Sequence, residues 1–445
     1  MLRTFRPSSP LSAPDPPHVL CAIRAPGEPA VKIEDRRSPR RIQRPVQLSR
    51  LALRSLIEKN GSASLRMVIA TAILIQAAQG VFDVSLALRA ERAGLSATEF
   101  GWTGAAHSAG FVIGAFLAPL ALACLGGYGL LFCACLIATP LAALGWSSSW
   151  AAWLLTRLAA GFAFALLFAA TDTAVIDTAP ADRRSRAIGV YVMFERLAMM
   201  AMPFAFAGSL SARPTLAYGV ACLWMCLIPA RTLRHSHPPQ GRSGPRSWST
   251  ALAAWQLAPV AVLCAFGAGA LNSSLLVLLP RWVHGTLGEA AVPIVQAAAW
   301  SGALSVQLTA GFLAPERARS RLGLWLSPAA ALAVIALPFA ANHGLLATVL
   351  ASATIGMCAF SQYGLALMAM AETRARSDRA PPTPALVFAW GLGAVIGPAA
   401  CSATGLYAVP PRLFAVIAAF WLAVPAICFV AQRSAARTPG RAAGT

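Results

Sequence analysis

Long apolar runs recur along this sequence, near residues 67–88, 99–124, 128–145, 150–176, 188–208, 215–230, 256–281, 290–313, 323–340, 345–370, 383–406 and 412–432. Most approach or exceed the ~20 residues a helix needs to cross the hydrocarbon core of a bilayer. Hydrocarbon offers no water to a backbone N–H or C=O, so a spanning segment is either a helix or part of a closed barrel. The runs lack the period-two alternation of barrel strands. The expectation is therefore an all-α membrane protein with twelve transmembrane helices.

Charge supports the same reading. Only 12% of the residues are charged, against roughly a quarter in soluble domains, too few to cover a water-facing surface. The formal net charge of +20 raises nucleic acid as a partner. The arginines, however, stand between apolar runs rather than along one binding face, so no nucleic-acid partner is expected. Loops that keep Lys and Arg stay on the cytoplasmic side. With the N-terminus inside, the inner segments hold Arg183/Arg184/Arg186, Arg231/Arg234/Arg242/Arg246, Arg317/Arg319/Arg321, Arg374/Arg376/Arg379 and Arg433/Arg437/Arg441. The outer loops hold only Arg89, Arg92, Arg213, Arg281 and Arg412, with interfacial Trp146, Trp150, Trp153 and Trp282. That alternation needs an even number of spans and places both termini in the cytoplasm, as in a multi-pass protein of a bacterial inner membrane.

Five segments follow. Residues 1–66 are Pro- and Arg-rich and read as a disordered basic tail, attracted to anionic lipid or added by an overcalled start codon ahead of Met67. Residues 67–230 make one six-helix bundle and 256–432 a second. Between them, 231–255 is a polar cytoplasmic linker with Pro238, Pro239, Gly241, Gly244 and Pro245. Residues 433–445 form a cytoplasmic tail. No short apolar segment with a cleavage site opens the chain, so no cleaved secretory signal is expected. All ten Cys but Cys21 fall in predicted spans and read as packing residues; His235 and His237 lack a third ligand. No metal or cofactor is expected.

Several motifs fit this plan. In the fourth span, Arg157-Leu-Ala-Ala-Gly161 resembles the R-x-x-x-G motif of the major facilitator superfamily. The segment Ala179 to Tyr191 resembles the link between that family's fourth and fifth helices. Gly311-Phe-Leu-Ala-Pro-Glu-Arg317-Ala-Arg319 resembles its gating-loop motif, with Pro315 where an Asp is expected. The counterpart at 118–129 keeps Gly126 but has Ala123 and Cys124 in place of the Asp-Arg pair. Gly391-x-Gly393-x-x-x-Gly397-Pro398 is similar to a Gly-Pro motif of family exporters, here in the eleventh span instead of the fifth. The resemblance covers about 67–432. It implies two six-helix bundles around a central cavity lined by the first, fourth, seventh and tenth helices, with proton coupling commonly tied to the motif arginine.

A charge near the bilayer centre costs ~2.5–3.5 kcal/mol on insertion scales, so each such residue is a site candidate. Gln76, Gln79 and Asp83 recur at three- and four-residue spacing and share one helix face. Asp83 and Arg157 fall at similar heights in the outer half and are expected to form an ion pair that proton or substrate breaks. Burial and the guanidinium act on the Asp83 proton in opposite senses; a permanent helix-orienting pair is the other reading. Asp172 and Arg196 read as a structural pair, leaving Glu195 as a second proton carrier. His107 reads as a packing residue. Asn272, Gln362 and Tyr363, with Gln76, Gln79 and Trp390, are the expected substrate contacts.

No nucleotide loop, metalloprotease or nucleophile-elbow motif is present, so an enzyme is not expected. The expectation is a monomeric, proton-coupled secondary transporter of a small organic solute, leaning to export. A non-transporting membrane sensor or scaffold is the alternative, since the first gating motif lacks its charged pair.

Overall fold

The computed structural model describes residues 63–178, 184–231, 259–312, 316–366 and 383–436. Residues 1–62, 179–183, the 232–258 linker region, 313–315, 367–382 and 437–445 lie outside them, and with them most of the two predicted tails and the start of the Ala179–Tyr191 segment. The described residues belong to one compact unit.

The first helix, α1, spans Ala63–Arg92 and ends before Gly94, whose φ of 86° reverses the chain. The next, α2, spans Ala97–Ala138. Its start is a capping box: Ser96 Oγ accepts from the Glu99 N–H at 3.1 Å, and Glu99 Oε2 accepts from the Ser96 N–H at 2.7 Å, which satisfies two of the amides a helix start leaves unpaired. Two predicted spans, 99–124 and 128–145, lie on this one rod and the 3-10 turn Thr139–Gly145 after it. They divide at Gly126, where φ 66° and ψ 173° break the helix. A side chain there would sit in backbone space that only glycine populates freely.

The remaining helices are α3 (Trp150–Thr178), α4 (Arg184–Ala205), α5 (Thr215–Met225), α6 (Pro259–Leu287), α7 (Ala291–Phe312), α8 (Glu316–Asn342), α9 (Leu345–Ile355), α10 (Thr383–Ala403) and α11 (Pro410–Ala436). A π turn, Gly356–Phe360, continues α9. Each predicted apolar run thus overlaps a described helix, and among the described residues eight helical segments are long and apolar enough to cross a membrane. The span predicted at 215–230 keeps helix only to Met225 before loosening into turns.

Among the described residues, two large apolar cores result. One gathers residues of α1 to α5 around Phe82, Phe164, Leu130 and Trp153. The other gathers α6 to α11 around Leu275, Val334, Phe414 and Trp421, and takes in Val84, Leu88 and Leu210 from the first half. Between the halves, α2 packs on α10, α4 on α7 and α1 on α6. Within the second, Gly393 and Gly397 of the Gly-Pro motif sit against the Phe266 and Ala270 carbonyls of α6, so that motif serves helix contact.

At the end predicted to face outward, polar groups tie the halves together. Glu289 meets Arg92 at 3.0 Å and accepts from the Ser211 N–H and hydroxyl at 3.1 and 2.8 Å. Arg281 donates twice to the Leu95 carbonyl, at 3.1 and 3.2 Å, and lies 3.9 Å from Glu91. His284 stands 3.5 Å from the same Glu91.

Candidate functional site

The site starts from the polar face of α1. Gln79 lies one turn before Asp83, and its Nε2 donates to Asp83 Oδ1 at 2.6 Å. With that amide nitrogen committed, Gln79 Oε1 is left buried with no hydrogen-bond partner among the described residues. A buried acceptor left unmade costs ~1–3 kcal/mol.

Opposite stands α2, drawn close to α3 by Gly161. A Cβ at 161 would lie 1.8 Å from the His107 carbonyl oxygen, so the glycine of the R-x-x-x-G motif is what lets the two backbones touch. That contact sets His107 beside Phe164, ring centroids 6.2 Å apart. His107 Nδ1, too, is buried without a partner among the described residues. His107, Ser108 and Phe111 on α2, Phe164 and Phe168 on α3, Gln79 on α1 and Trp390 on α10 enclose a cavity of about 100 Å³.

Its rings form a continuous wall. Phe164 lies 5.9 Å from Phe168, Phe168 6.1 Å from Phe111, and Phe111 5.8 Å from Trp390. Tyr363, just past the π turn, continues it 6.0 Å beyond Trp390. The cavity therefore has walls from both halves of the molecule.

Asp83 and Arg157 are near enough for their charges to interact, but the expected ion pair does not form. Asp83 takes its hydrogen bond from Gln79, and Arg157 Nε is buried without a partner among the described residues. An amide one turn away on the same helix reaches the carboxylate without bridging the gap to α3.

A second polar cluster lies lower on α1. Gln76 donates to Glu195 Oε1 at 3.4 Å. Tyr191, one turn before Glu195 on α4, donates to Asp172 Oδ1 at 2.6 Å and to Thr171 Oγ1 at 3.3 Å. Glu195 is 8% exposed, whereas Asp172 keeps solvent-accessible surface.

The expected Asp172–Arg196 pair is not formed either. Four residues separate Tyr191 from Glu195, so both face Asp172; Arg196 is turned ~100° further round the helix. Its guanidinium lies over the Trp300 ring of α7, 4.8 Å from the centroid, a cation–π contact across the two halves.

Of the expected substrate contacts, Gln79 and Trp390 border the cavity and Tyr363 adjoins it. Gln76 is engaged with Glu195. Asn272 donates to the Ala359 carbonyl at 3.3 Å and Gln362 to the Cys358 carbonyl at 2.9 Å. Both amides serve the π turn, whose widened geometry leaves carbonyls free to accept from side chains. Gly311 lies on helical backbone at the end of α7, and Arg317 and Arg319 near the start of α8; their side chains lie outside the described residues. Sequence reasoning missed His107 as a cavity residue, although its spacing to Phe111, and that of Phe164 to Phe168, is one helical turn. No group of three His, Cys, Asp or Glu placed to hold a metal occurs among the described residues.

The sequence matches the Major Facilitator Superfamily over residues 68–398. No curated protein matches it. Among solved structures, the nucleoside transporter NupG is similar with a TM-score of 0.66 at 14% identity, covering 83% of this chain and 99% of its own. The xylose transporter XylE from E. coli, in a partially occluded inward-open conformation, gives 0.62 at 12% identity over 83% and 98%. A bacterial homolog of the human lysosomal transporter Spinster, inward-facing and occupied, gives 0.60 at 16% over 84% and 98%.

Proposed function

Because the chain belongs to the major facilitator superfamily, we propose that it is a secondary active transporter that moves a small organic solute, coupled to protons and directed outward. One observation carries the reading: a cavity whose wall is shared by the two halves, with Gln79 and its bonded Asp83 on one side and Trp390 on the other. A site of that kind is divided whenever the halves rock apart. Structural neighbours named as nucleoside and xylose transporters support a small organic solute as cargo.

Proton handling is assigned to Asp83, with Arg157 as its electrostatic partner, and to Glu195. Asp83 stands on α1, bonded to Gln79, and Glu195 of α4 is tied to α1 through Gln76, one nearer the outside and one nearer the inside. A proton taken at one and released at the other returns inward as solute leaves. Gln76, Gln79, Trp390 and Tyr363 remain the proposed substrate contacts; Gly311, Arg317 and Arg319 remain the proposed gating loop, and the protein is proposed to act as a monomer.

The test uses full-length protein in proteoliposomes loaded with a pH-sensitive dye and challenged with amphipathic cations, organic acids or sugars. One class is expected to drive proton movement, and Asp83→Asn to abolish it while leaving folded protein in the membrane. Proton movement by none of the classes, from well-folded protein, would favour the sensor or scaffold reading, which the Ala123-Cys124 substitution of the gating motif already supports.

A further inference from the structure

The cavity's lining is specific enough to name a ligand class. Four of its walls are aromatic, from Phe111, Phe164, Phe168 and Trp390. Ring faces carry partial negative charge and pack best against another ring, offset or edge-on. Among the described residues, no carboxylate or guanidinium lines the cavity.

The polar end is equally restrictive. Gln79 Nε2 is held by Asp83, so what Gln79 offers inward is an acceptor, its unpartnered Oε1. His107 Nδ1 is the second buried atom without a partner among the described residues. A ligand that completes this end donates an N–H or O–H to Gln79. An anionic carboxylate would instead face the Gln79 carbonyl oxygen and an aromatic wall that gives it no donor. A sugar would bring many hydroxyls to a wall with few acceptors.

Resting on the transporter reading above, we propose that this cavity binds a small planar nitrogen heteroaromatic, neutral or cationic, with its rings against Phe164, Phe168 and Trp390 and its N–H edge donating to Gln79 Oε1. The volume of about 100 Å³ suits one flat ring system rather than a bulky or branched solute.

The test is equilibrium binding to the purified full-length protein by titration calorimetry, with benzimidazole, benzoate, cyclohexylamine and a hexose as probes. Benzimidazole is expected to bind at least tenfold tighter than the other three. That ranking is read on wild-type protein and needs no variant. Gln79→Leu, with melting checked against wild type, should weaken benzimidazole at least tenfold. Benzoate, cyclohexylamine or hexose binding as tightly as benzimidazole, or affinity unchanged in Gln79→Leu, would overturn the proposal. Counterflow of labelled benzimidazole in proteoliposomes separates the two readings. Binding without counterflow would sink transport and leave the site assignment standing; proton-linked movement of a carboxylate, with no benzimidazole binding, would do the reverse.

Discussion

Gln79 shows how much one side chain decides. Its amide nitrogen occupies Asp83 and its oxygen faces the cavity, so the same residue sets the acid and presents the acceptor. The sequence already pointed there, because three polar residues at helical spacing stand out in an apolar run. It did not reveal Phe111, Phe164 and Phe168, since one more phenylalanine in a membrane span carries no signal of which way it faces. The Asp172–Arg196 pairing failed for a related reason: opposite charges on neighbouring helices suggest a partner, yet rotation about the helix axis decides whether they meet. A double-mutant cycle in detergent checks the replacement. Asp172→Asn with Tyr191→Phe should show coupling of ~0.5–1.5 kcal/mol, the usual net worth of a hydrogen bond, and Asp172→Asn with Arg196→Gln close to zero. Coupling above ~0.5 kcal/mol in the second cycle would restore the ion pair.

Among elements, the long rod Ala97–Ala138 was legible as two spans because polar and glycine residues interrupt its apolar run near 126. What the sequence did not disclose is that helix runs up to this point from both sides, with one glycine as the break. Gly126→Ala places a Cβ at φ 66° and should cost ~1–3 kcal/mol, seen as earlier thermal unfolding in detergent. An unchanged melting curve would mean that the break relaxes without glycine. The shortened helix Thr215–Met225 and the π turn Gly356–Phe360 were not legible. Both lie inside uniformly apolar runs, where hydropathy is blind to local winding.

For the whole molecule, the plan of two halves was read from the polar linker and the alternation of arginines; the buried apolar residues gather mainly in two cores, the second of which also takes in residues of the first half. The outer ties were visible only as scattered charges: Glu91, Arg92, Arg281, His284 and Glu289 come from different loops and helix ends. Each exposed pair is worth ~0–1 kcal/mol, so together they bias closure rather than lock it. Arg281→Ala is expected to shift the balance by ~1 kcal/mol, about fivefold. Labelling of Ser108→Cys by an impermeant maleimide from outside, in a background stripped of native cysteines, should rise accordingly. Labelling that stays at the wild-type level would mean that packing of α1 on α6 holds the outer side without help.

The ring wall that passes from Phe164 through Phe111 to Trp390 has one further consequence. Since its last member belongs to the opposite half, the pocket would, under the transport cycle proposed above, be an appointment that two moving bodies keep rather than a permanent container. A guest that fits it becomes, for as long as it stays, a rivet between them. Binding tightly and moving quickly are then competing demands on the same few rings.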